Sequence, residues 1–201
     1  MGVKWKTTFD KLPQVTATTK ALNGKKIQVG AFNGEHAWLV GIHEFGCTIT
    51  PKRAKYLTVP IHPEAVGRKA RSIPDLFFFQ AASGEKFLAK GNGDSLEFYY
   101  WLASSVKIPE RSFLRAGHDK HAKRVIEQTE RALGQVLAGK MTLDDMYELC
   151  GQQMATAIKT FARDLNSPPN HSSTILAKGS DNPLVGKTGN MIESITWKVE
   201  G

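Results

Sequence analysis

His36, His43, Glu44 and Cys47 fall within twelve residues of one another and make the one catalytic-looking cluster in the sequence. A zinc hydrolase built on a His-Glu pair needs its second His four residues after the first, on a helix, so that both imidazoles face one ion while the carboxylate serves as base. Here Cys47 stands at that place, and the surrounding AWLVGIHEF reads as a strand and turn. The expectation is therefore polar residues on a strand's outer face, with a metal-dependent hydrolase around His43 and Cys47 the least favoured function. His62, His118, His121 and His171 are scattered through basic or loop segments and form no Ser/His/Asp spacing. KGNGDS and VGKTGN lack the spacing of a phosphate loop, and Gly186-Lys187-Thr188 has neither a strand before it nor a helix after it. No catalytic residue, cofactor or metal is expected.

Two further groups could recognise a partner. Phe77, Phe78 and Phe79, and then Phe98, Tyr99, Tyr100 and Trp101, could stack on bases, but continuous aromatic runs more often make strands buried on both faces, by the domain or by a neighbouring subunit. The charge is unevenly placed. Of a net +8, nearly all lies in residues 51–124, where fourteen Lys and Arg face seven Asp and Glu. Such a region suits an anionic surface, nucleic acid or acidic protein. Lys52, Arg53, Lys55, Arg68, Lys69 and Arg71 are the candidate contacts in it, with Arg111 and Arg115 able to grip carboxylates of a neighbour in bidentate fashion.

The elements that must position these residues follow from periodicity. KKIQVGAF alternates as a strand, Asn33-Gly34 signals a hairpin, and AWLVGIHEF reads as the returning strand. YLTVPI, DLFFFQ, KFLAK and SLEFYYWLASSV give a β-rich insert at about 51–107. From Ile108 the pattern turns helical: Val125, Ile126, Ala132, Leu133, Val136 and Leu137 form one stripe, ended by Gly139. A second helix opens with a Thr142/Asp145 capping box and a Met141/Met146 staple, and its stripe puts Cys150 in the core. A short link makes the two helices antiparallel. Residues 166–190 carry Pro168-Pro169 and many Ser and Gly, which reads as an arm mobile in the isolated subunit, with Ile175, Leu176, Pro183 and Leu184 free to bury against a neighbour. MIESITWKV alternates and should rejoin the sheet. The whole is expected to be one α+β domain over residues 1–201, a mainly antiparallel sheet packed by two long antiparallel helices.

With 41% hydrophobic and 23% charged residues, the chain has enough apolar side chain for a core and is neither disordered nor fibrous. No run of eighteen apolar residues occurs, and MGVKWKTTFDK lacks an apolar segment followed by a cleavage site, so a soluble protein, cytoplasmic when made and without membrane contact, is expected. Cys47 and Cys150 read as free thiols.

Taken in order, HEFG followed by a basic Pro-containing stretch, IPERSFLR opening a helix, and NPLVGKTGNMIESITW near the end resemble the virion morphogenesis and tail-completion proteins of long-tailed bacteriophages. The likeness extends through KYLTVPIHPEAVGRKARSIPDLFFF and so spans roughly residues 30–199. Glu110 and Ser112 stand where that family's turn prefers Ala and Pro, and Gly186-Lys187 replace an Asp before Thr188-Gly189. The resemblance implies a non-enzymatic neck, collar or tail-terminator subunit, assembled in the host cytoplasm as a six-fold or twelve-fold ring of copies of itself. In the virion it would join head connector to tail tube and leave a passage for DNA. A basic nucleic-acid-binding protein is the alternative, resting on the charge of residues 51–124 and the interleaved aromatics.

Overall fold

The computed structural model describes residues 12–32, 34–186 and 188–201. The signal-peptide reading of residues 1–11 and the Asn33 half of the expected turn lie outside them. A first helix, α1 (Leu12–Leu22), precedes β1 (Lys26–Gly30), which forms where alternation suggested it. Its partner is not the segment that follows. Residues expected to return as a strand form the helix α2 (Gly34–Phe45), and β1 instead pairs antiparallel with the last strand, β8 (Thr196–Glu200), with Val29 opposite Trp197.

The reason lies in the run AWLVGIHEF, whose apolar residues fit either period. A strand would put Trp38, Val40 and Glu44 on one face; the helix separates them, burying Val40 and Glu44, four apart, and turning Trp38 and Phe45, seven apart, to solvent. A buried place for Glu44 decides between the two. The helix stops at Gly46, whose φ of +70° and close approach to Glu110 N, 2.8 Å from where a Cβ would lie, leave room for no side chain.

The β-rich insert forms as expected in outline. Strand β2 (Cys47–Ile49) pairs with β7 (Val106–Ile108), while β3 (Leu57–Pro60), β4 (Phe77–Gln80), β5 (Lys86–Lys90) and β6 (Glu97–Ala103) make an antiparallel sheet ordered β3-β6-β5-β4. Ala65 and Ile73, on two short 3-10 turns between β3 and β4, pack on Tyr99 and Tyr100 to give the insert its own small core. Among the described residues the strands thus form three separate antiparallel sheets where one was expected.

Two long helices, α3 (Phe113–Leu137) and α4 (Leu143–Asp164), pack side by side and carry the main core. Thr142 and Asp145 close the expected capping box, with Thr142 Oγ1 accepting from Asp145 N at 3.1 Å and donating to Asp145 Oδ2 at 2.6 Å. Cys150 is buried against Ala132, Val136 and Met146, as its place in the stripe required. Strands β1 and β8 lie on α4, so closely that a Cβ on Gly151 would sit 2.4 Å from the Trp197 ring. The fold is α+β.

Residues 166–190 depart from the expected free arm. They contain a helix, α5 (Ser172–Lys178), and lead through buried Pro183 and Leu184 to the short α6 (Asn190–Glu193). Leu184 packs in one cluster with Val40, Phe113, Met154, Ile158, Ile192 and Ile195. Pro183 and Leu184 are therefore core residues of their own chain and are not available to a neighbour; Ile175 is exposed and Leu176 half-buried. Composition misled here because a few apolar residues, correctly spaced, suffice when the polar backbone around them is held by the buried Arg111 and the half-buried Lys178.

Candidate functional site

The side chains singled out as His43, Glu44, Arg111 and Arg115 meet at the junction of α2 and α3. Each end of that junction is polar by necessity. The first turn of an α-helix presents N–H groups with no intrahelical acceptor, and they must be satisfied by a cap, by water or by a ligand. Ser112 occupies the N-cap position of α3 but makes no capping bond from its side chain. The acceptor comes from α2 instead. Glu44, 2% exposed, receives Leu114 N at 2.8 Å on Oε2 and Arg115 N at 3.1 Å on Oε1. Ser112 Oγ donates to Oε1 at 3.0 Å, and Arg115 Nε reaches the same oxygen at 2.8 Å.

The oxygens of this buried side chain are filled by these bonds, and it sits at the positive end of a helix. Arg115 in turn donates through Nη2 to Glu44 O at 3.2 Å and to Glu110 Oε1 at 2.7 Å, and lies over the Phe45 ring. Its bonds to Glu44 and Glu110 raise its pKa above the usual arginine value. Glu110 and Ser112, the two positions that differ from the resembled family's turn, thus supply contacts of the junction themselves.

Arg111 does different work. It is 4% exposed, and its Nε donates to Pro168 O at 2.8 Å while Nη2 donates to Pro169 O at 3.1 Å and Asn170 Oδ1 at 3.3 Å. Arg111 is thereby buried and occupied within its own chain, whereas the Arg115 side chain, 54% exposed, remains at the surface. Arg111 holds backbone carbonyls of the segment after α4, and the carboxylates on Arg115 belong to the same chain. Lys178 repeats the device at the end of α5, donating to Asn182 O at 2.8 Å and Pro183 O at 3.0 Å.

His43 sits among these cations. Burial first, then Arg111 and Lys178, lower its pKa to about 4, so the ring is neutral near pH 7. Nδ1 lies 3.5 Å from Arg111 Nη1, placed to accept, which puts the ring proton on Nε2. Burial likewise lowers the pKa of Lys178, helped by Arg111. His43 lies on a helix, correcting the outer strand face expected for it, and Cys47 lies beyond it on β2. Among the described residues no three His, Cys, Asp or Glu side chains converge to hold a metal.

The insert's cations are placed otherwise. Lys52, Arg53 and Lys55 are exposed on the loop into β3; Arg68, Lys69 and Arg71 are exposed around the 3-10 turns that cover Tyr99 and Tyr100. Tyr99 and Tyr100 are themselves buried, as a strand reading implied, whereas Phe77 and Phe78 are exposed on β4. Sequence reasoning missed Glu44 as the cap of α3. Its acceptor role links residues about seventy apart, and no local signal at residues 109–115 reports it.

No family model, curated protein or solved structure matches the chain, so the junction is judged on its chemistry. Glu44→Ala should cost about 2–4 kcal/mol in urea unfolding, since it strands two helix N–H groups and a serine hydroxyl; Glu44→Gln, which keeps acceptors but loses the charge, should cost about half as much. A pH dependence follows from His43. Between pH 6.5 and about 4 the unfolded chain binds a proton that the folded chain refuses, so stability should fall as pH drops through that window. Because the ring is partly solvated, the loss should be about 1–2 kcal/mol. His43→Asn should flatten that part of the profile.

Proposed function

We propose that the chain is a structural subunit of a phage neck, collar or tail-terminator ring that joins head connector to tail and leaves a passage for DNA. The observation that carries this reading is how the three resembling motifs relate in space. HEFG supplies the carboxylate that caps the helix opened by IPERSFLR, and NPLVGKTGNMIESITW supplies Leu184, Ile192 and Ile195 to the core around Phe113. Motifs that cap one another's helices and share one core make a frame.

The surface favours assembly. Trp38 is 65% exposed, Phe45 67%, Phe78 53%, and Phe77 and Ile49 more than 40% each. Side chains of this size left uncovered on a helix and on short edge strands are what a subunit buries against neighbours. The exposed cations of the insert then face either acidic protein or the passing DNA. A weak, repeated contact suits a channel that DNA must traverse, and it favours acidic protein for most of them. A subunit in this place would reside in the virion and pass through the host cytoplasm during assembly.

In the phage that encodes it, silencing this gene should leave filled heads and separate tails that fail to join, as seen by negative-stain electron microscopy of lysates. Intact infectious particles without it would overturn the reading. A purified monomer that shifts duplex DNA tightly at physiological salt, with a steep salt slope, would favour the nucleic-acid-binding alternative instead.

A further inference from the structure

Arg111 is a buried cation, 4% exposed, and no carboxylate among the described residues balances it. Burial alone moves its pKa, and moves it down. The acidic side chains beside it in the turn and on α2 are engaged elsewhere: Glu110 accepts from Arg115 at 2.7 Å, and Glu44 accepts from Ser112, Leu114 and Arg115. Nε and Nη2 of Arg111 reach Pro168 O, Pro169 O and Asn170 Oδ1, but Nη1 meets only His43 Nδ1, at 3.5 Å. A guanidinium carries two N–H groups on Nη1, so at least one of them has no acceptor among the described residues.

The same side chain lines a cavity of about 520 Å³ between the insert sheet, β7 and the start of α5, a volume in the range of small-molecule sites. Val59 and Trp101 of the sheet and Val106 and Ile108 of β7 give it apolar walls. His171 stacks on Trp101, with ring centroids 6.2 Å apart and planes at 20°, which makes one wall flat. The charged and titratable side chains among the described lining residues are His43, Lys107, Arg111 and His171, and none is acidic. Lys107 is exposed on β7 and adds positive charge on the solvent side. His43, its pKa lowered by burial and then by Arg111 and Lys178, reports the same positive potential at the buried side.

A buried, charged donor with an unfilled N–H, set beside apolar walls, suits an anion carried on an apolar body. A carboxylate matches it more closely than a phosphate, because it brings one charge to one buried cation, whereas a phosphate brings nearly two and a third oxygen to fill. We infer that the cavity between the insert sheet and α5 binds a monocarboxylate on a flat apolar body, with its carboxylate on Arg111 Nη1 and its body against Trp101. Two sources share that chemistry: a free carboxylic acid, and the chain end of a polypeptide whose last residue is apolar. The inference goes beyond the ring reading and does not depend on it.

The test is a titration of the full chain followed by NMR at the Trp101 indole N–H and the Ser173 amide. The probes are phenylacetate and N-acetyl-L-phenylalanine, each against its uncharged counterpart, phenylacetamide and N-acetyl-L-phenylalaninamide. At least one acid should saturate with a Kd of about 1 mM or tighter. Its amide should bind about tenfold more weakly, because the charge-assisted bond is lost. The tighter-bound acid identifies the source, phenylacetate standing for a free acid and the acetylated residue for a chain end. Arg111→Gln also removes support from backbone, so two exposed lining positions carry the assignment to this cavity. Thr174→Trp, which fills the cavity from α5, should abolish binding, and Lys107→Glu should weaken it about threefold, both with unchanged circular dichroism. Failure of both acids to bind overturns the site. An acid and its amide that bind equally overturn the contact with Arg111, and acid binding that survives Thr174→Trp unchanged overturns the cavity as its place.

Discussion

A carboxylate buried at the start of a helix is the constraint on which this fold turns. Desolvating Glu44 is unfavourable unless its oxygens are filled, and the groups that fill them are the first free amides of α3, the Ser112 hydroxyl and the Arg115 guanidinium. That requirement makes α2 a helix, fixes where α3 begins, and demands a glycine at position 46 where the chain crosses Glu110. Phe113, fully buried beside the cap, then anchors the main core.

A second polar device extends the junction to the end of the chain. Arg111 and Lys178 are cations without a carboxylate partner among the described residues, satisfied by the carbonyls of Pro168, Pro169, Asn182 and Pro183. Carbonyl dipoles hold a buried cation less strongly than a carboxylate would, but they tie backbone in place at several points. A segment poor in apolar residues is ordered by this means, and Leu184 is delivered to the core. His43, neutral between the two cations, fills space without adding a third charge.

The parts legible in the sequence were those with local causes. The stripe and capping box of α4, the alternation of β1 and of residues 196–199, and the burial of Tyr99 and Tyr100 all follow from neighbours within a few residues, whereas residues 191–193 of the expected last strand are helical. What could not be read had distant causes. AWLVGIHEF satisfied both periods until the partner of Glu44, some seventy residues on, was in place. Residues 166–190 looked unable to order because their order comes from Arg111, outside the segment. In the sequence Arg111 and Arg115 read as partner contacts, because a lone arginine does not reveal whether its acceptor belongs to a neighbour or to its own chain. The separation of the insert into its own sheet and core likewise depends on pairings among strands that composition alone leaves open.

If one buried carboxylate joins α2, α3 and the segment after α4 into a single unit, disturbing it must loosen residues it does not touch. Hydrogen exchange on wild type and Glu44→Ala under conditions where both remain folded tests this most directly. Faster exchange is expected at Leu114 and Arg115, and also across residues 168–184, because Arg111 holds that segment from the same turn. Acceleration confined to Leu114 and Arg115, with residues 168–184 unchanged, would contradict the account and leave Glu44 as a local cap only.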